Sequence, residues 1–286
     1  MSAAGSCATV VGRVRSPFEK RAALGVAVAV SLICRPARAE DDVDAFDVRW
    51  ELDVPLASAA GLVGGTLHLL REELVTERCA PTCDEGRVNA FDASTLGRYS
   101  GPTHDVGTAL IATSLAFAPS VTLLGAWASD RDDAWVHALE DAVLLAEVLG
   151  TSVFAHQLTA FAAQRPRPYA YGAEAPDDLR QGANTYLSFY SGHTANSFAM
   201  ATATSYLFTR RHPKSPWVLP LWTFSHGLAV LQGYTRVSSG YHYWSDVLVG
   251  AAVGSALGLT IPLLHEQQLH VQPTPGGAGL AIQGTL

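Results

Sequence analysis

The chain has 286 residues, of which 48% are hydrophobic and 16% charged, and its formal net charge at pH 7 is −7. This composition predicts one domain with a sizeable core, because little polar material is left to cover a second one. The sequence has no run of basic residues and no basic stripe interleaved with aromatic side chains, so it indicates no nucleic-acid partner.

The first 39 residues have the pattern of an export signal. Four basic residues precede the apolar run AALGVAVAVSLIC, and ARA at 37–39 offers small residues to a signal peptidase. We predict a cleaved signal peptide over residues 1–39 and an exported chain. The alternative is an uncleaved anchor, which is less favoured because the apolar run is shorter than the roughly 20 residues that span a bilayer.

Two cysteines, Cys79 and Cys83, stand close together in RCAPTCDEG, within the N-terminal segment 40–99. In an exported chain they can close a small disulfide loop, since oxidising compartments preserve such pairs. Two free thiols are the alternative, because the sequence does not show the geometry of the Cβ atoms. A zinc site would need two further ligands, and no matching Cys or His pair lies nearby.

Apolar segments of helical length recur along the rest of the chain. The short connections between several of them, and the lack of sustained period-two alternation, predict an all-α fold: a bundle of about six helices over a core at 100–266. The tail at 267–286 contains several Gly and Pro residues, and we expect it to be mobile or edge-like. The predicted helices lie at about 55–70, 106–128, 137–161, 193–209, 216–234 and 244–265.

The hydropathy of these segments favours a membrane-embedded bundle. The segment 106–128 is uncharged and long enough to cross a bilayer, and 247–264 is nearly so. The weakest spanning candidate is 55–70, which contains three glycines and a histidine and can instead lie in the interface.

Charge placement predicts the orientation. RRHPK at 210–214 is the most basic connection in the chain, so the positive-inside rule places it in the cytoplasm. The loops at 162–192 and 235–243 then face the periplasm. Five crossings with a cleaved signal, or six with a retained N-terminus, both satisfy this orientation.

Arg and His residues concentrate in three stretches at the same predicted helix ends. Arg side chains present forked donors to phosphate oxygens, and a Ser-Gly step that opens a helix directs amides and the helix dipole at an anion. This inventory fits a tetrahedral oxyanion better than a metal. The stretches are QRPRPYAYG with Arg165 and Arg167, YSGHTANSF with Ser191, Gly192 and His193, and TRVSSGYHYWSD with Arg236, His242 and Asp246.

The spacing within the third stretch suggests a nucleophile. His242 and Asp246 are four residues apart, so they share one face if the helix begins near His242. Asp246 can then accept the proton on one ring nitrogen while the other nitrogen attacks. Each candidate residue taken singly has an ordinary interpretation, as an interfacial cation or a helix-start residue. Their occurrence together at three loop-helix junctions favours a site.

These stretches resemble the signature of the type 2 phosphatidic acid phosphatase and vanadium haloperoxidase superfamily, which reads K-x6-R-P, P-S-G-H and S-R-x5-H-x3-D. The resemblance covers roughly residues 100–266 and is closest to the membrane-embedded lipid phosphatase branch. The matching positions are Arg167 and Pro168, then Ser191, Gly192 and His193, then Arg236, His242 and Asp246, with both internal spacings of the third motif kept.

Three positions differ from the signature: Ala160 replaces the lysine, Tyr190 a proline and Thr235 a serine. Ala160 matters most, because the family lysine contributes a cation to the phosphate. Arg165 is a candidate to replace that contact from the loop. Losing one charge-assisted contact without compensation weakens transition-state binding by about 2–4 kcal/mol, so a slow or degenerate enzyme is one alternative.

The resemblance implies in-line attack of His242 on phosphorus, with Asp246 orienting the imidazole and His193 protonating the leaving oxygen. Water then releases phosphate from the phosphohistidine, with no metal or other cofactor. The groups that stabilise the charge on phosphorus are then Arg167, Arg236, Ser191 and the Gly192 amide.

The leading hypothesis is therefore a metal-independent phosphatase acting on a lipid-linked phosphate, of the phosphatidate or polyprenyl diphosphate type, at the periplasmic face of the membrane. Three alternatives stay open. They are a soluble periplasmic acid phosphatase of the same superfamily, a haloperoxidase with vanadate as cofactor, and a catalytically weakened membrane protein of the same fold.

Overall fold

The computed structural model describes residues 45–76, 78–266, 270–273 and 280–283. The chain divides into two units, Met1–Arg38 and Ala39–Leu286, and all described residues belong to the second. The predicted signal peptide at 1–39 lies outside the described residues.

The described part is a bundle of α-helices followed by one β-hairpin. The helices are α1 Trp50–Leu69, α2 Arg71–Leu74, α3 Gly101–Ala128, α4 Ala134–Ala163, α5 Asp177–Gln181, α6 Gly192–Arg211, α7 Val218–Ser238 and α8 Trp244–Leu264. The strands β1 His270–Pro273 and β2 Leu280–Gln283 pair antiparallel. All six predicted helices are present, so the helical-bundle prediction is confirmed, and α2 and α5 are short additions.

The C-terminal tail was predicted to be mobile or edge-like, and within it the structure describes two short strands that pair with each other. Val271 pairs with Ile282, and both strands carry residues that favour extended backbone. The Gly- and Pro-rich stretch between the strands has turn composition. The tail sequence therefore has the pattern of two short strands around a turn, which the prediction from the sequence did not identify.

Local signals set the helix ends that matter for the site. Ser191 caps α6 by accepting a hydrogen bond from the Thr194 amide at 3.4 Å. At the start of α8, the Asp246 carboxylate accepts from the Tyr243 amide at 3.1 Å. At the end of α4, Gln164 takes the left-handed conformation with φ 39°. The chain therefore turns sharply just before or after each of the three motifs.

Helix α6 lies at the centre of the bundle, in contact with α3, α4, α7 and α8. Its small residues let α8 approach closely through Gly250, Gly254 and Gly258, which recur every fourth residue. A Cβ atom on Gly254 would lie 2.1 Å from the Ala195 carbonyl oxygen. The α6–α8 contact therefore depends on backbone packing of the small-xxx-small type.

Gly254→Ala is expected to lower the free energy of unfolding by about 1–3 kcal/mol, because the added methyl group cannot fit without separating the two helices. The matched control is Gly227→Ala on α7, where a Cβ meets nothing within 4 Å. That change should be neutral or slightly stabilising, since Ala favours helix over Gly. Thermal unfolding of the two variants in detergent compares them, and equal midpoints would contradict the packing argument.

The outer surface of the bundle is apolar. Helices α1, α3 and α8 of the described part are long and apolar enough to cross a membrane, and α1 was the weakest candidate by sequence. Exposed Trp50, Trp127, Trp135 and Trp217 lie at the end of the bundle where α1, α4 and α7 begin and α3 ends. Such a set of Trp side chains is typical of a membrane–water interface.

The cysteine pair lies at the opposite end of the bundle. Cys79 and Cys83 form a disulfide, with their Cα atoms 4.7 Å apart. Cys79 packs against the apolar cluster of Val75, Ala160 and Tyr186. The disulfide interpretation is therefore confirmed, and the loop it closes covers the end of α4.

Candidate active site

The three motifs meet at one end of the bundle. Arg167 follows the C-terminus of α4, His193 stands in the first turn of α6, and His242 lies in the short loop between α7 and α8. The Ser191 amide donates to the Asp246 carbonyl at 3.0 Å, which joins the starts of α6 and α8. The predicted residues are thus brought together although up to 79 positions separate them (246 minus 167).

The R-x5-H spacing has a structural reason. The Arg236 carbonyl accepts hydrogen bonds from the amides of Tyr241 and His242, both at 3.1 Å. Gly240 has φ 77°, a left-handed conformation that favours glycine, and a Cβ there would clash with the Arg98 carbonyl at 1.8 Å. This tight turn returns His242 to the end of α7, beside Arg236.

Hydrogen bonds define the tautomer of His242. Its Nε2 lies 2.9 Å from Nη1 of Arg167 and its Nδ1 lies 2.9 Å from the Ser188 carbonyl oxygen. A guanidinium only donates, so Nε2 accepts and Nδ1 carries the proton. The in-plane lone pair of the imidazole is therefore on Nε2, the nitrogen that faces the arginines.

The surroundings of His242 favour its neutral form. Its side chain is 2% exposed. Burial, followed by the positive charges of Arg167 and Arg236, holds the pKa of His242 well below its ordinary value. The lone pair on Nε2 is thus available across neutral and mildly acidic pH.

Asp246 is placed differently from the expectation. Helix α8 begins at Trp244, and the Asp246 Oδ2 atom is 3.5 Å from Nδ1 of His242, beyond the closer Ser188 carbonyl. The same Oδ2 accepts a hydrogen bond from the Ser188 hydroxyl at 2.6 Å. Ser188 therefore contacts both members of the pair, and its carbonyl is the nearer acceptor for the imidazole.

Arg165 also differs from the expectation. Its Nη1 donates to Asp246 at 2.6 Å and its Nη2 to Asp92 at 2.8 Å, and its guanidinium lies over the Tyr243 ring. Both terminal nitrogens are thus directed at carboxylates. In this structure Arg165 holds Asp246 in position, and its role as a replacement for the family lysine at the phosphate stays a prediction.

Asp92 is a charged residue of this network that the sequence analysis did not identify. It accepts from the Ser245 amide at 3.0 Å and hydroxyl at 2.5 Å, in addition to Arg165. Burial alone would raise the pKa of the Asp92 carboxyl, but the bonds from Arg165 and Ser245 outweigh it and lower the pKa. Asp92 lies 73 positions before Arg165 in an irregular segment, so no local pattern indicates it.

Helix α3 holds the side chain of Arg236 in place. It is 1% exposed, and its Nη2 donates to the His104 carbonyl at 2.7 Å. The His104 ring stacks on Tyr241 at 3.9 Å. Gly107 leaves the space that the guanidinium fills, since a Cβ there would lie 1.7 Å from Nη2. The predicted motif gave no indication of His104 or Gly107, which belong to another helix.

Ala160, at the position of the family lysine, is fully buried among apolar side chains. One turn earlier on α4, His156 packs against the first residue of α6, so that a Cβ on Gly192 would lie 2.6 Å from its Nε2. His156 Nδ1 is buried with no hydrogen-bond partner among the described residues. An imidazole that the sequence did not single out thus lies beside the Ser-Gly step.

Residues 141–269 match the PAP2 superfamily, so the resemblance inferred from the three motifs is confirmed. Similar curated proteins include the lipid A 1-phosphatase of Porphyromonas gingivalis, 38% identical over 90 residues, which are 32% of this chain and 18% of that protein. Phospholipid phosphatase 1 of Rattus norvegicus is 37% identical over 82 residues, 27% of this chain and 28% of that protein.

The lipid A 4'-phosphatase of Bacteroides thetaiotaomicron is 34% identical over 102 residues, which are 33% of this chain and 40% of that protein. Among solved structures, a transmembrane PAP2-type phosphatidylglycerolphosphate phosphatase of Bacillus subtilis is 18% identical, with a TM-score of 0.43 over 70% of this chain and 94% of that one. The alignments with these curated proteins span between 18% and 40% of their lengths. The three described helices that are long and apolar enough to cross a membrane agree with the predicted membrane-embedded bundle.

Proposed function

We propose that this protein is a metal-independent phosphatase that hydrolyses a lipid-linked phosphate through a phosphohistidine. The observation that carries the proposal is the buried Nε2 of His242, whose lone pair is directed at Arg167 in the neighbourhood of Arg236. A neutral imidazole next to two guanidinium groups suits attack on an anionic phosphate. The match to the PAP2 superfamily and the lipid phosphatase relatives support the same chemistry.

In the first step a phosphate oxygen of the substrate accepts the hydrogen bond from Arg167 Nη1 that His242 Nε2 accepts in the free protein. The lone pair on Nε2 is then free to attack. Nε2 of His242 then attacks phosphorus, and the bond from phosphorus to the lipid oxygen breaks. His193, in the first turn of α6 and protonated beside the bound phosphate, donates its proton to that oxygen and becomes neutral. The lipid alcohol, or the lipid monophosphate if the substrate is a diphosphate, leaves.

In the second step water attacks the phosphorus of the phosphohistidine, and neutral His193 takes the proton from that water. The P–N bond breaks, inorganic phosphate leaves, and His242 regains its lone pair. Arg167, Arg236, the Ser191 hydroxyl and the first amides of α6, beginning with Gly192, stabilise the charge in both steps. The hydrogen bond from Nδ1 to the Ser188 carbonyl keeps the imidazole in the attacking orientation.

We propose that the substrate reaches the site from the lipid, at the periplasmic face. The site lies at the end of the bundle opposite the four exposed Trp residues and the basic connection at 210–214. The positive-inside rule places that connection in the cytoplasm. An exported site also fits the Cys79–Cys83 disulfide at the same end.

Purified protein in detergent, assayed for phosphate release, tests this function. The substrates are phosphatidate, a polyprenyl diphosphate, lipid A and a soluble aryl phosphate, each with and without EDTA. We expect at least one lipid phosphate to be hydrolysed faster than the aryl phosphate, and EDTA to have no effect. Preference for the aryl phosphate, with release from membranes by an alkaline wash, would support a soluble acid phosphatase instead.

The vanadate haloperoxidase alternative has its own assay. Bromide oxidation in the presence of vanadate and hydrogen peroxide, without release of phosphate from any lipid, would replace the phosphatase proposal. We expect vanadate to inhibit phosphate release, because it mimics the pentacoordinate phosphorus at the same arginines.

Asp246→Asn is expected to lower kcat by about 10- to 100-fold. The loss is smaller than the roughly 10⁴-fold fall that the same change causes where an aspartate alone sets the histidine tautomer, because here the Ser188 carbonyl remains as acceptor. Rates are measured on the folded fraction, since the change also removes a charge partner of Arg165. A 10⁴-fold loss would show that Asp246, and not Ser188, holds the imidazole.

A further inference from the structure

A second polar cluster lies at the other end of the bundle from His242. It consists of Asp53 in the first turn of α1, Glu147 in the middle of α4, and His265 directly after α8. Helix α8 has 21 residues and is therefore about 30 Å long, and it separates this cluster from the candidate active site. The reaction proposed above does not use these three side chains.

The cluster is buried, and its charges are only partly matched by hydrogen bonds: Oδ2 of Asp53 accepts one from the Arg49 amide at 2.7 Å. The side chains of Asp53, Glu147 and His265 are 3%, 9% and 9% exposed. The Oε2 atom of Glu147 is buried without a hydrogen-bond partner among the described residues, and it faces the imidazole. An unsatisfied carboxylate oxygen in such a place is costly unless a positive group binds it.

His265 is oriented as a metal ligand would be. Its Nδ1 lies 2.9 Å from the Ile261 carbonyl oxygen, which can only accept, so Nδ1 carries a proton. In the neutral ring this leaves the lone pair on Nε2, which faces Asp53 and Glu147. A backbone carbonyl that accepts from the outer ring nitrogen is the usual partner of a ligating histidine.

The distances are longer than those of hydrogen bonds and match a coordination sphere. Nε2 of His265 is 3.3 Å from Oδ2 of Asp53 and 3.5 Å from Oε2 of Glu147, and one ligand atom from each residue lies within 4.8 Å of the other two. Both distances exceed the roughly 2.7–2.9 Å of a charge-assisted hydrogen bond. Two ligands at about 2.0–2.2 Å from a tetrahedral ion are about 3.3–3.6 Å apart.

We propose that Asp53, Glu147 and His265 bind one divalent transition-metal ion, Zn²⁺ or Mn²⁺. One imidazole nitrogen and two carboxylate oxygens are donors that both ions accept, and two carboxylates neutralise the charge of the ion. The ion joins α1, α4 and α8 at the end of the bundle where no disulfide holds the described helices. Its role is structural, and it takes no part in phosphate release.

The test measures metal binding to the full chain, purified in detergent without a polyhistidine tag and stripped with a chelator. Zn²⁺ or Mn²⁺ alone is titrated by calorimetry, and the thermal midpoint is followed with and without the ion. We expect one tight site per chain and a rise of several degrees in the midpoint. Glu147→Gln should weaken binding by at least tenfold and abolish the rise.

The matched control is Glu140→Gln, the same substitution two turns earlier on α4, where the carboxylate pairs with Arg211 at 3.0 Å. This variant should bind metal like the unchanged protein. X-ray absorption of the metal-loaded protein gives a readout that does not depend on any variant folding: it should show imidazole scattering, with no sulfur ligand. His265→Gln should remove that scattering.

Three results would overturn the proposal. The first is the absence of a tight site in the unchanged protein. The second is equal binding by the Glu147→Gln and Glu140→Gln variants, which would place the ion elsewhere, such as among the active-site histidines. The third is a metal spectrum without a nitrogen ligand. Activity in the presence of EDTA reports separately on the phosphatase, so either proposal can fail alone.

Discussion

His242→Ala is expected to lower phosphate release from a lipid phosphate by about four orders of magnitude or more, since removing a nucleophile costs that much in enzymes with covalent intermediates. The attacking nitrogen is positioned by two hydrogen bonds of the imidazole, from Arg167 to Nε2 and from Nδ1 to Ser188, and an alanine offers neither the nitrogen nor these contacts. Acid-labile phosphate on the protein, measured after rapid quenching with labelled substrate, should disappear together with the activity.

The matched control is His226→Gln on α7. That imidazole lies 3.2 Å from the Thr202 hydroxyl and 3.0 Å from the Trp222 carbonyl, inside the helical bundle, with no contact to the candidate site. Its replacement should change kcat by less than about threefold, as expected of a side chain that contributes only to packing. Retained phosphate release in the His242→Ala variant would refute the phosphohistidine, while the lipid phosphatase function could still hold through another nucleophile.

Gly107→Ala is expected to lower kcat/KM by about 10²- to 10³-fold, the usual loss when one donor to a developing charge is removed. The added methyl group would occupy the position of the Arg236 guanidinium, 1.7 Å from Nη2, and push it away from the phosphate site. This effect arises on α3, which carries none of the three motifs. It therefore tests the tertiary arrangement and not the motif itself.

Gly125→Ala on the same helix is the control, because a Cβ there meets nothing within 4 Å. It should leave kcat/KM unchanged and preserve the thermal midpoint. If the two alanine variants were equally active, the guanidinium of Arg236 would not be the group that contacts phosphate. A fall in the thermal midpoint of Gly107→Ala alone is compatible with the argument, provided that the folded fraction also loses activity.

The helices were predictable from the sequence because their apolar runs are long and their ends carry strong local signals. Ser191 before the apolar stretch of α6, and Asp246 at the third position of α8, are recognisable without a structure. The motif residues were predictable for a related reason: Arg236 and His242 are joined by one tight turn, so their spacing reflects local geometry.

The partners of those residues could not be predicted. Asp92 and His104 lie in other parts of the chain, and nothing in their neighbourhood distinguishes them from surface residues. The partners of Arg165 were likewise not predictable from the sequence. Its charge and position in the sequence suggested a contact with phosphate. Only the folded structure shows that its guanidinium forms ion pairs with Asp92 and Asp246.

The sequence by itself determined the class of the fold and the six long helices, because these depend on periodicity. It also indicated the residues of the three motifs that the structure brings together, through their short spacings and the resemblance that they carry. The tertiary structure alone decided that Ser188 accepts from His242, that Gly107 makes room for Arg236, and that Asp53, Glu147 and His265 converge. Hydrogen bonds and close packing between distant segments depend on distances of tenths of an ångström, which no local pattern of residues encodes.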